Sequence, residues 1–466
     1  MIHPNLPFLT ALALTALPFS NASSDSAAEA CEEISTKVSS ASDVIHAQVH
    51  LDFIPDIHHW YISSSQNPEC VFEPGSIDDL ATAMKVIGST RSPFAIKSGG
   101  HASNPGFSST TGVHISLKRM DQVTLSDDNS TVEIGTGITW ADVYERLQDT
   151  GYNVVGGRTV GPGVGGFTLG GKPTNTNGTV TRVNSEQPDL FFALKGGLNR
   201  FGIVASAEFY THEQSPEIYG GLAIYGKDEV DSVLNATAKF DAENTDPKAQ
   251  LITTLEGSEL GTRALVLFFY DGPDRPESFS HFDDIDSVLD LTKTQTFADF
   301  VKGFQSNLIT NARGTFHTLS TSKLTPKFLA AVKNETDSLG GISASHSGYS
   351  ISYDIEPFVK TWGDNATDSA YPHADSPLPL NLYFAWISED DDEFWYDAMR
   401  SSIQNLKKVA IEEGIHPSDF TAYPNYAISN TTAEELYGSK NAARLSAIRS
   451  QTDPDGVMQL TGGFSI

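Results

Sequence analysis

Basic residues are scarce in this chain: 30 Lys and Arg stand against 59 Asp and Glu, a formal charge of -29 over 466 residues. Such a balance repels phosphate backbones and anionic lipid headgroups, which excludes nucleic acid and membrane surfaces as natural partners. Beyond favouring solubility, it identifies no substrate. After the first twenty or so residues no stretch is long and apolar enough for a membrane helix. The chain has no internal repeat and no low-complexity tract. It also lacks H-E-x-x-H, paired C-x-x-C and G-x-S-x-G elements, which leaves zinc proteases and α/β-hydrolase esterases without a site and gives no metal centre. What is present is an ordinary globular composition, 39% hydrophobic and 10% aromatic, long enough for two or more domains.

An apolar run over residues 6–19 is too short to span a bilayer and is followed by small residues at Ser20-Asn21-Ala22. Residues 1–22 therefore read as a secretory signal peptide, although only His3 supplies the basic character of such a leader. Cysteine is nearly absent, and the two that occur, Cys31 and Cys70, lie early in the exported chain. In an oxidising compartment they most simply form one disulfide that pins the N-terminal segment to the first domain. Sequons at Asn129, Asn177, Asn235, Asn334, Asn365 and Asn430 fit a glycosylating secretory route.

The periodicity predicts a helix over 77–87, capped by Ser76 and stopped by Gly88, with Ile77, Leu80, Ala81, Met84 and Ile87 on one face. Strand-like runs follow at 93–97, 113–117 and 131–134, then a helix over 140–148 capped by Thr139. Further on, 189–197 reads as a short helix and 201–210 as a strand. Strands are expected at 264–270, 348–354 and 380–387, and a helix at 392–413 whose Trp395, Met399, Ile403, Leu406 and Ala410 read as core. The acidic run 389–393 suits the start of that helix. The pattern is α+β.

Two glycine-rich elements carry the chemistry. The first is Ser98-Gly99-Gly100-His101, directly after a strand. The second is the stretch 156–172, GGRTVGPGVGGFTLGGK. Its glycine density lets backbone N–H groups approach a phosphate-bearing ligand, and Val160, Val164, Phe167 and Leu169 are too apolar for a flexible linker. Residues 166–172 match the spacing of a Walker A loop, but Pro173 supplies neither the hydroxyl nor the N–H that such a loop needs next.

Together with 189–204, DLFFALKGGLNRFGIV, and the Tyr423-Pro424-Asn425-Tyr426 element, these motifs resemble the berberine bridge enzyme-like branch of the vanillyl-alcohol oxidase flavoprotein family. The resemblance covers nearly all of the exported chain and is closest to fungal members that tailor secondary metabolites. It implies a PCMH-type FAD-binding domain over about 62–214, completed by a returning C-terminal segment 418–466. Between them, 215–417 would form an inserted substrate domain of antiparallel sheet flanked by helices.

The resemblance further implies that His101 bonds the flavin covalently, with Ser98, Gly99 and Gly100 as its pyrophosphate loop. Val160, Gly161, Gly163, Gly165 and Gly166 match the second backbone cradle, and Gly202, Ile203 and Val204 the strand lining the adenine end. Many relatives add a cysteinyl bond from the second glycine run, but the matching place is Arg158 or Thr159, so a single attachment is expected. In the family form Y-x-N-Y the second tyrosine takes the substrate proton. Here that is Tyr426, with Tyr423 and Asn425 facing the flavin. Since a free phenol has a pKa of about 10, this role needs nearby positive charge or hydrogen bonds. His373, Asp354 and Tyr353 are looser candidates, for which a surface or core place is the simpler reading.

The implied activity is removal of hydride from a small alcohol, amine or polyketide-like molecule, with O2 as acceptor and the protein secreted. A carbohydrate oxidase of the same family is the alternative. Measured against the family pattern, the resemblance implies that after Gly171 the chain omits two short strands and their turn, roughly 20 to 25 residues at typical strand lengths. A flavin-deficient binding protein is therefore the alternative from another class.

Overall fold

The computed structural model describes residues 22–46, 53–168, 172–174, 178–303 and 311–466. The leader segment up to residue 21, Leu169 to Gly171 and the Asn177 sequon lie outside these residues.

The N-terminal half holds two four-stranded sheets, besides a two-stranded pairing of Tyr152–Asn153 with His212–Glu213. In one, Cys70–Glu73, Val113–Ser116 and Phe94–Lys97 run parallel, and Asp43–His46 adds antiparallel to the edge. The Ile77–Thr90 helix covers it, burying Leu80, Met84 and Ile87 against Phe72 and Ile115. Ser76 caps this helix, its hydroxyl accepting from the Asp79 amide at 3.1 Å. Gly88 does not stop it. The helix runs on to Thr90 and ends where Arg91 turns left-handed, φ 57°; Gly88 stays helical, and a Cβ there would meet only Val457, at an ordinary contact distance of 3.5 Å. The Cys31–Cys70 disulfide forms, joining the Ala22–Lys37 helix to the first parallel strand.

The second sheet is antiparallel, in the order Val123–Leu125, Thr131–Gly135, Ile203–Tyr210, Lys172–Thr174. The region after Gly171 thus supplies an edge strand, a position where a proline such as Pro173 is tolerated because one side of the strand is unpaired among the described residues.

The central region forms an eight-stranded sheet with antiparallel pairing throughout. Its order is Ser287–Asp290, Ile218–Tyr225, Arg263–Tyr270, Ala249–Gly257, Gly348–Ile355, Leu378–Trp386, Arg313–Thr321, with Lys293–Gln295 also beside Ile218–Tyr225. The helices Val230–Glu243, Pro326–Gly341 and Asp392–Glu412 cover one face, where Trp395, Met399, Ile403, Leu406 and Ala410 join the core as the helical spacing predicts. Asp392, in the acidic run, accepts from Arg313 and from Trp386 Nε1, so these carboxylates are structural.

Two strands escape an apolar-alternation reading for a physical reason. Ala249–Gly257 alternates perfectly in burial, but Thr253 and Gly257 occupy inward places. Thr253 is tolerated there because its hydroxyl pairs with that of Thr237 at 2.7 Å. Arg313–Thr321 likewise buries Thr315, Thr318 and Ser320. The opposite face of this sheet is turned toward the glycine loops.

The C-terminal segment returns to the first half. Its Ala433–Thr452 helix opens with a capping box between Thr432 and Glu435 and packs Leu436, Tyr437 and Leu445 on Phe192 and Leu194. Asn104 anchors the preceding turn, donating to Ala427 O at 2.9 Å and accepting from the Ser429 amide at 2.8 Å. Of the described sequons, Asn235, Asn334, Asn365 and Asn430 are exposed and Asn129 is half-buried.

Candidate active site

One cavity of about 1930 Å³ lies between the eight-stranded sheet, the two glycine elements and the returning tail. That is roughly twice the upper range of about 1,000 Å³ for drug-sized ligands, so it has room for a dinucleotide together with a small molecule.

The two glycine elements meet backbone to backbone. A Cβ on Gly99 would stand 2.5 Å from Gly161 O and 2.9 Å from Gly163 Cα, and one on Gly163 would stand 2.9 Å from Gly99 Cα. No side chain fits at either place. The Ser98 hydroxyl links both loops, donating to Thr136 O and accepting from the Gly165 amide at 3.3 Å. Ser98, Gly99, Gly100, His101, Gly163, Gly165, Gly166, Gly202, Ile203 and Val204 all line the cavity. Val160 and Gly161 do not. Val160 packs against the core beneath the loop, and Gly161 contributes its carbonyl to the contact with Gly99.

His101 lies flat against Trp60, with ring centroids 4.2 Å apart and planes at 16°. Trp60 is fixed in turn by its amide, which donates to Gly100 O at 3.0 Å. Burial pushes the imidazole down to about 4, so the ring is neutral at physiological pH, and its Nε2 has no hydrogen-bond partner. A neutral, buried imidazole with an unpartnered nitrogen, next to a side-chain-free loop pair, fits a flavin dinucleotide.

The tail brings Tyr423, Asn425 and Tyr426 to the same cavity. Asn425 Nδ2 donates to Tyr423 Oη at 2.9 Å, and the two tyrosine rings meet edge to face at 5.0 Å. The positive charge that a proton-accepting Tyr426 needs is present: Arg158 Nη2 donates to Tyr426 Oη at 3.0 Å. It does not act alone, because the same nitrogen is ion-paired with Glu356 Oε1, which lies 3.3 Å from Tyr426 Oη. Burial raises the Tyr426 phenol well above its ordinary value. The pull of Arg158 opposes this rise, and the Glu356 charge adds to it. Tyr426 is therefore a phenol here and not a phenolate, with a carboxylate poised to receive its proton.

Glu356 is the residue that motif reasoning missed. The available signal is strand period: Glu356 follows Asp354 by two, just past the Gly348–Ile355 strand, so both carboxylates share the cavity face while Tyr353 points the other way. Tyr353 is accordingly a core residue, bonded through its hydroxyl to Ser402 at 2.7 Å. Asp354 and His373 do line the cavity, the latter stacked on Trp362 at 5.3 Å. No cluster of His, Cys, Asp and Glu suited to a metal occurs among the described residues.

Comparison with known proteins defines the class. Residues 68–182 match the FAD binding domain family. The chain is 36% identical over 253 residues to an uncharacterized FAD-linked oxidoreductase of Arthroderma benhamiae, an alignment that takes in 49% of this chain and only 50% of that protein. An FAD-dependent monooxygenase of Cochliobolus heterostrophus is 28% identical over 86% of this chain and 85% of its own length. The fold is shared with a xylooligosaccharide oxidase from Myceliophthora thermophila, TM-score 0.73 at 18% identity over 92% of this chain and 98% of that one. It is shared also with berberine bridge enzyme, TM-score 0.71 at 16% identity over 92% and 97%. The chain thus carries an FAD binding domain over residues 68–182, is similar in sequence to FAD-linked oxidoreductases, and shares the fold of berberine bridge enzyme.

Proposed function

We propose that this protein oxidises a small secondary-metabolite alcohol or amine, with FAD tethered through His101 alone and O2 as the final electron acceptor, in the secretory route or outside the cell. The observation that carries this reading is the convergence of His101, both glycine loops and the Tyr426–Glu356–Arg158 group on one cavity. The proposed division of labour is the one expected from the motifs: an FAD domain over 62–214 with the tail from 418, and a substrate domain over 215–417.

FAD, when bound, accepts the hydride from the substrate carbon. The substrate's O–H or N–H proton passes to Tyr426 Oη as Tyr426 gives its own proton to Glu356 Oε1. Arg158 holds both oxygens in place throughout. Ser98 ties the glycine loops together, and the Gly99–Gly163 contact keeps side chains out of the space a diphosphate needs. Trp60 clamps the His101 ring in one orientation.

The test is acid precipitation of the purified protein. Yellow colour should stay with the polypeptide and be absent from a His101→Ala variant treated in the same way. Free flavin in the supernatant of the unmodified protein overturns the tether. Failure of the soluble protein to take up flavin at all overturns the oxidase reading in favour of a binding protein.

A further inference from the structure

The cavity face of the large sheet is acceptor-rich in a way that specifies the ligand. Along the Gly348–Ile355 strand every second side chain faces the cavity, giving Ser350, Ser352 and Asp354, with Glu356 next. Strand register places Thr254 and Asn381 directly beside Asp354 on the two neighbouring strands. Thr254 Oγ1 donates to one carboxylate oxygen at 2.7 Å and Asn381 Nδ2 to the other at 3.1 Å. Both donors are neutral.

That second bond fixes the Asn381 amide. Its nitrogen must face the carboxylate, so its Oδ1 is left as an acceptor without a donor, on a side chain only 6% exposed. Glu356 Oε2 is likewise without a donor, on a side chain 2% exposed. Arg158 turns its Nη2 to Glu356 Oε1 and Tyr426 and donates to neither of these two atoms. The charge count agrees. Two carboxylates face one guanidinium at this end, whereas the other cavity charges occur as opposites, Glu256 ion-paired with Arg263, and Lys293 accompanied by Asp299. A buried carboxylate with no ion-pair partner of its own is costly: burial and the Glu356 charge, opposed by the Thr254 and Asn381 hydrogen bonds and by the more distant Arg158 charge, push Asp354 up to about 6. The nearby wall is aromatic: Tyr383 and Phe316 lie nearly parallel to Trp60, at 10° and 14°.

We propose that Asp354 and Asn381 anchor a protonated amino group, so that the molecule oxidised at Tyr426 carries a cationic nitrogen. The inference rests on the oxidase reading for the reacting end, but the anchor is independent of flavin chemistry. An ammonium supplies the missing donors and the missing charge, and aromatic faces favour it. A polyol supplies donors only. Asp354 and Glu356 are two residues apart on extended backbone, roughly 7 Å at strand rise, so the anchored nitrogen and the oxidised carbon are separate positions of one molecule.

The test is isothermal titration calorimetry of the full chain as purified, at pH 7.5, with phenethylamine, 2-phenylethanol and xylobiose. Phenethylamine should bind at least tenfold more tightly than its alcohol counterpart, about 1.4 kcal/mol, and Asp354→Asn should remove the difference. Equal binding of the alcohol, no binding of the amine, tighter binding of xylobiose, or an amine preference that survives in a folded Asp354→Asn protein overturns the proposal. The comparison of ligands on the unmodified protein needs no variant to fold. Because calorimetry reads the anchor without turnover, an amine preference in a protein that lacks flavin would sink the oxidase reading and leave this one standing.

Discussion

Replacing Gly163 by alanine should loosen the protein, whereas the same change three residues later should not. At Gly163 the new methyl would stand 2.9 Å from Gly99 Cα and nearer still to other atoms of the Ser98-Gly99 loop. Gly99 N and Ser98 Oγ are those nearer atoms, and with non-bonded atoms resting at about 3.5 to 4.0 Å the two loops must part by about 1 Å or more. The atoms in the way are chiefly backbone, with the Ser98 hydroxyl that bridges to Thr136 and Gly165 among them. Overpacking of this kind costs about 1 to 3 kcal/mol. For a unit of 150 to 250 residues that is a fall in Tm of roughly 2 to 12 °C. At Gly166 a methyl meets nothing within 4 Å, and the residue lies in the Val164–Thr168 helical turn, where alanine is favoured over glycine by up to about 1 kcal/mol. Its Tm should hold or rise. Differential scanning fluorimetry of both variants, with flavin content from visible absorbance, decides the matter. A Gly163→Ala protein that melts with the parent while Gly166→Ala falls would refute the loop contact.

Glu356→Gln and Tyr426→Phe should each slow substrate-dependent flavin reduction by about 10²- to 10⁴-fold, the usual range for a lost acid–base group. The double variant should be little worse than the poorer single one, since the two act as a unit; multiplicative losses in stopped-flow reduction would separate them. Reduction of Cys31–Cys70, which closes a loop of 39 residues, should cost about 4 kcal/mol by chain entropy, read as a lower urea midpoint with a phosphine reductant; an unchanged midpoint contradicts it. Acid should also destabilise the fold. Burial, with smaller repulsion from Lys97, holds His59 down to about 4 and His114 to about 3, and the two rings also disfavour each other's charge. The unfolded chain therefore takes up these protons first, and the stability is complete above pH 6.5 and lost as pH falls from there toward 4 and 3. By pH 5 each histidine accounts for about 2 kcal/mol, and a flat urea midpoint between pH 7 and pH 5 would count against it.

Much of the site was legible because its parts are local. Ser98-Gly99-Gly100-His101 follows a strand end, the second glycine run has no room for side chains, and Tyr426 belongs to a short motif, so each can be recognised from neighbours in the chain. The Cys31–Cys70 bond was legible by elimination, there being no other cysteine. Legibility stopped where a position's meaning depends on a distant partner. Gly88 looked like a helix stop, yet the left-handed turn that ends the helix comes three residues later, at Arg91. Val160 looked like part of the cradle and packs, half-buried, against the core beneath the loop. Thr253 hid a strand because its hydroxyl is satisfied from a helix sixteen residues back.

By itself, then, the sequence determined the FAD-binding class, the mixture of helix and sheet and the two glycine loops that meet at the cavity, since glycine density, helix caps and a histidine in a fixed motif are properties of contiguous chain. Only the tertiary structure decided what surrounds Tyr426. Arg158 and Glu356 are 198 residues apart in sequence, and no local pattern announces an ion pair whose halves come from a glycine loop and a sheet. It is closure of the chain that places a buried carboxylate against a phenol, and with it the chemistry that the phenol can perform.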